Sequence, residues 1–138
     1  MCVLKKIGIY FVGVMALLPY SDVTSRGQKV SDGPSSCEYT RAVLDSNLAD
    51  AKKLSDNSYI IFVFRAGEKE ARRINMKRME TVRKHIAYRL PDFTNFVLAE
   101  GESVSLLGKV EIYIQGKISS TIFLDKGKNI GENCVEEP

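Results

Sequence analysis

Tyr59-Ile60-Ile61-Phe62-Val63-Phe64 is an unbroken run of apolar residues, mostly β-branched or aromatic, and it stops at Arg65-Ala66-Gly67-Glu68-Lys69-Glu70. A run of this kind predicts a fully buried strand at the centre of a sheet. Before it, Ser55-Asp56-Asn57-Ser58 is a cluster of turn formers. After it, Ala71, Ile74, Met79, Val82, Ile86 and Leu90 fall on one stripe of a helix over 68–90 that Pro91 ends. Glu68 and Glu70 are expected in the first turn of that helix and Lys84, His85 and Arg89 in its last turns, each sign matching the helix dipole.

Outward from this centre, Val43, Leu44, Leu48, Ala51 and Leu54 recur at spacings of three and four and predict an amphipathic helix over 38–54. Phe96-Val97-Leu98-Ala99 is a second apolar strand. The helix between it and the first strand has the length of a crossover, which predicts parallel pairing. Lys109–Gln115 alternates, with Val110, Ile112 and Ile114 on one face, and Ile118–Leu124 follows the turn Gln115-Gly116-Lys117, a β-hairpin. The order predicts an α+β two-layer sandwich: a four-stranded mixed sheet with two helices on one face.

The chain has 138 residues, 44% hydrophobic and 27% charged, the composition of one ordinary globular domain. Residues 1–25 read as a signal peptide: Lys5 and Lys6, an uncharged run from Ile7 to Tyr20, then polar residues with Val23 and Ser25 at a cleavage position. The run falls short of the roughly 20 residues that span a bilayer, so an inner-membrane anchor is the second reading. The expected location is the periplasm, with 26–36 a flexible Gly/Ser/Pro-rich lead-in and 37–138 the domain. Losing Lys5, Lys6 and Asp22 would take the net charge from +3 to +2. Of three cysteines, Cys37 and Cys134 would remain, and two cysteines in an exported chain predict one disulfide. Closing so long a loop would contribute about 4–5 kcal/mol in the chain-entropy picture.

Ile74-Asn75-Met76-Lys77-Arg78-Met79-Glu80-Thr81-Val82, Glu100-Gly101-Glu102-Ser103 and Gly108-Lys109-Val110-Glu111-Ile112 resemble, in order and spacing, the C-terminal (OmpA-like) domain family of outer-membrane protein A over roughly residues 40–115. The resemblance implies a non-catalytic module that holds the diaminopimelate group of peptidoglycan through an aspartate after the first strand and an arginine on the next helix. Arg78 matches that arginine. Where the family has its aspartate this chain has Arg65, Ala66 and Gly67, so the ammonium-binding acid is replaced by a base or a methyl. Between Gly101 and Gly108 there is no room for that family's third helix.

Read from the residues, Arg65, Glu70, Asn75 and Arg78 are the candidate binding set, with Asn75 and Arg78 on one helix face. Guanidinium forks beside free amides suit a carboxylate or phosphate, and the same residues also read as intradomain ion pairs. Nine Lys/Arg against three Glu lie between Arg65 and Arg89. No aromatic residues interleave to stack bases, so nucleic acid is excluded and a solvated face is expected, with peripheral contact to anionic lipid as an alternative. His85, the one histidine, has no nucleophile at an identifiable spacing, and neither metal-ligand spacing nor cofactor motif is present. The expected function is a non-catalytic module holding an anionic group of a cell-envelope polymer. A periplasmic protein-binding or immunity-type role is the alternative, and a small hydrolase using Glu100 and Glu102 ranks third.

Overall fold

The computed structural model describes residues 33–54 and 58–132, in which the chain forms α1 (Cys37–Lys52), β1 (Ile60–Arg65), α2 (Arg72–Arg89), β2 (Phe96–Glu100), β3 (Gly108–Ile114) and β4 (Lys117–Leu124). The expected leader, most of the lead-in and Cys134 lie outside the described residues. Cys37 is disulfide-bonded. Peptide mapping without reduction should join Cys37 to Cys134, and a Cys37 linked to any other thiol would overturn that pairing.

The four strands form one mixed sheet in the order β2-β1-β3-β4. β1 runs parallel to β2, with Ile60 opposite Phe96, and antiparallel to β3, with Ile60 opposite Ile114. β3 and β4 form the hairpin, with a register shift between Ile112 and Tyr113. Both residues of its turn have positive φ, Gln115 at 51° and Gly116 at 75°, the geometry whose twist matches the flanking strands.

Ile60, Phe62, Phe64, Val110, Ile112, Ile122 and Leu124 project from one face of this sheet and pack with Leu44 and Leu48 of α1 and Val82 and Ile86 of α2 into one core. The expected α+β two-layer sandwich is what the chain forms. β1, however, is not buried throughout. Ile61, Val63 and Arg65 are half-buried on the opposite face, which no helix covers among the described residues.

The lead-in also engages earlier than expected. Ser35 donates its N–H to the Phe123 carbonyl (2.9 Å), and its Oγ accepts from Phe123 N (3.0 Å), lengthening the β4 edge. Ser36 then caps α1, its Oγ accepting from Tyr39 N. Midway along that helix's buried face, Asn47 Nδ2 donates to Val43 O (2.7 Å) and Ser120 Oγ (3.0 Å), fixing α1 to β4.

The two helices are joined by one carboxylate. Asp45 of α1 is hydrogen-bonded to His85 Nε2 (2.8 Å) and accepts from Arg89 Nε (3.0 Å) and Nη2, both on α2. Partial burial alone would raise the Asp45 pKa, but the hydrogen bonds from Arg89 and His85 outweigh it and hold the carboxyl below its usual range. A depressed acid stabilises the fold above the ordinary carboxylate range, and that contribution fades as pH falls through it. Solvent screens this half-exposed cluster, so Asp45→Asn should lower Tm by only a few degrees at pH 7 and by less near pH 3, measured by circular dichroism.

Candidate functional site

Beyond β1 the backbone does not enter a helix at Glu68. Lys69 adopts a left-handed conformation (φ 58°), Glu70 N bonds Gly67 O, and α2 starts only at Arg72. The expectation that Glu68 and Glu70 sit in the first helical turn is therefore corrected: that turn holds no carboxylate, and Ala71 precedes it without a capping side chain.

Glu70 instead folds back into the protein. Its Oε2 accepts from Arg78 Nη1 (2.9 Å) and Gly67 N (2.6 Å), and its Oε1 from Arg78 Nη2 (2.8 Å) and Gly127 N (2.6 Å). The Arg78 and Glu70 side chains are 0% and 1% exposed. Arg78 spends its remaining donors on Asn75 Oδ1 (3.5 Å), Asp125 O (3.1 Å) and Lys128 O (3.1 Å). All five guanidinium N–H groups thus have acceptors inside the domain. Two glycines make room for this. A Cβ on Gly108 would lie 2.7 Å from Glu70 Oε2 and 2.8 Å from Arg78 Nη1, and one on Gly67 would lie 2.6 Å from Gly108 N.

This geometry corrects the binding role expected for Glu70, Asn75 and Arg78. A guanidinium with every donor used has none to offer a ligand, and Asn75, 1% exposed, is committed to Arg78 and to Phe64 O. Arg65 does not join them. It lies on the other face of the sheet, where its Nε donates to Glu111 Oε2 (2.8 Å) and its Nη1 reaches Glu102 O (3.5 Å). Glu111 also pairs with Lys109 Nζ (2.7 Å) and accepts from Tyr113 OH (3.1 Å). Burial tends to raise the Glu111 pKa, but the donors of Lys109, Arg65 and Tyr113 lower it overall. Glu100, expected as one of an acid–base pair with Glu102, holds Arg72 Nε at 2.8 Å. His85, expected to complement the α2 C-terminus, is instead bound to Asp45 of α1. Among the described residues, no three His, Cys, Asp or Glu side chains group as a metal site would require, and no helix is long and apolar enough to cross a membrane.

Missing from the sequence reading is a cleft of about 210 Å³ at the start of α2, walled by Lys69, Arg73, Lys77 and Lys126. Lys126 comes from the loop after β4. The buried pair places that loop, because Asp125 O, Gly127 N and Lys128 O are all bonded to Arg78 or Glu70. Among the described residues Glu70 is the one carboxylate on the cleft wall, and Arg78 neutralises it. Among the described residues, Arg73, Lys77 and Lys126 form no ion pair, while Lys69 meets only the exposed Glu68 at 3.6 Å. Arg73 and Lys77 are four apart on the helix, where like charges repel. The arrangement gathers four cations, three of them without an ion pair among the described residues, which suits it to hold an anion. Helical spacing already set Arg73 and Lys77 together; nothing short-range connects them to Lys126.

Models of known protein families, curated proteins and solved structures contain no match to this chain.

Removing one member of a buried ion pair strands the other, at a cost of about 3–5 kcal/mol. Urea denaturation should show a loss of that size for Arg78→Ala, and a smaller one for the double replacement Glu70→Leu with Arg78→Met. Burial pushes the Glu70 pKa up, but the Arg78 fork and the N–H groups of Gly127 and Gly67 bring it from 4.5 down to about 2. Because the folded pKa is the lower one, its contribution is complete above about pH 4.5 and disappears as pH falls toward 2. In Glu70→Gln, the stability curve should flatten over that interval.

Proposed function

We propose that this chain is a non-catalytic exported binding module that holds an anionic group of a cell-envelope polymer in the cleft at the start of α2. The observation that carries this reading is that Lys69, Arg73, Lys77 and Lys126 line one cavity whose only carboxylate among the described residues is already neutralised by Arg78. Export and the envelope setting rest on the signal-peptide pattern of residues 1–25 and on the resemblance to the outer-membrane protein A C-terminal family. The binding residues differ from those the resemblance implies: Arg78 supports the loop that brings Lys126 in, and the contacts fall to cations around it.

A periplasmic protein-binding or immunity-type role is the second reading. It is favoured by the sheet face that no helix covers among the described residues, where Val97 and Ile118 are 41% and 57% exposed beside the half-buried Ile61 and Tyr113. Co-sedimentation with protein-free cell-envelope polymers, purified peptidoglycan and a phosphate-bearing polymer side by side, separates the two. Retention of the chain, abolished in the double variant Arg73→Glu/Lys77→Glu and maintained in Val97→Ser/Ile118→Ser, is the expected outcome. No retention of the wild type, together with a stoichiometric protein complex from native envelope, would replace the polymer with a protein partner.

A further inference from the structure

The chemistry of the cleft narrows the ligand, an inference that rests on the cleft being the binding site. We propose that it takes a phosphoryl group, carrying two or more negative charges, rather than a single carboxylate.

Three observations converge on this class. The first is charge: four cations face one cavity, and Glu70 contributes none of the balancing negative charge because Arg78 holds both its oxygens. A monoanion would leave most of that positive charge uncompensated. The second is the identity of the cations. Three are lysines, point charges whose donors rotate to meet oxygens on several sides, as on a tetrahedral phosphoryl group. The fourth, Arg73, carries a guanidinium fork that matches two oxygens of a phosphate as well as those of a carboxylate. The third is size and placement: about 210 Å³ admits one compact charged group, and its walls come from both α2 and the loop after β4.

The test is isothermal titration of the full chain with inorganic pyrophosphate, succinate and acetate at matched ionic strength. Pyrophosphate should bind, and should weaken about threefold for each of Lys77→Gln and Lys126→Gln, exposed replacements that leave the fold intact. Affinity should also fall steeply with added salt. Succinate binding as tightly as pyrophosphate, or pyrophosphate binding unchanged in Arg73→Gln/Lys77→Gln, would overturn the inference. If peptidoglycan retains the chain through these same cations while pyrophosphate neither binds nor competes, the phosphoryl assignment falls and the binding-module reading stands. Vesicles of phosphatidylcholine with and without phosphatidylglycerol assign the source. Binding to the anionic vesicles with the same lysine dependence makes it a lipid headgroup, and pyrophosphate binding without vesicle binding makes it a soluble or polymer-borne phosphate.

Discussion

Taking an arginine wholly out of water costs several kcal/mol unless each of its donors finds an acceptor. This chain meets that requirement at Arg78 by drawing together segments distant in sequence: the turn after β1 through Glu70, the body of α2 through Asn75, and the loop after β4 through the carbonyls of Asp125 and Lys128. Hydrophobic burial holds the helices against the sheet but specifies no such end-to-end arrangement. Gly67 and Gly108 follow from the same requirement, since a methyl at either position would enter space taken by the pair or by the strand beside it.

Two kinds of charge result from this device. Inside, one cation and one anion cancel in a fixed bidentate geometry. Outside, the loop that the pair holds adds Lys126 to the row formed by Lys69, Arg73 and Lys77. The inner charges define the wall, and the outer ones give it a sign. On the far face of the sheet, Glu111 organises Arg65, Lys109 and Tyr113 in a comparable way, but as a separate cluster.

Much of the fold was legible because it depends on periodicity. The apolar stripe of α2, the alternation in β3 and the crossover length between β1 and β2 require only counting, and each appears where the pattern placed it. The start of α2 was not legible, because Ala71 gives no capping signal and Glu68 and Glu70 imitate a favourable first turn. Full burial of β1 was read from composition alone. Ile61 and Val63 are apolar enough for a second covered face, but both helices pack on the first. The site was harder still. Residue spacing correctly put Asn75 and Arg78 together, but it does not say whether that face turns to solvent or to the protein. That depends on carbonyls some fifty residues away, in a tail whose composition is merely polar.

The acceptors for Arg78 lie 47 and 50 residues further along the chain, and the loop amide that completes Glu70 lies 57 residues beyond it. A fragment ending after β2 would contain both helices and the parallel strand pair, yet its central charges would lack their last partners and would have to stay in water. Polar closure at Arg78 and Glu70 thus depends on the loop after the final strand, just as the apolar core depends on Val110, Ile112, Ile122 and Leu124 of the last two strands.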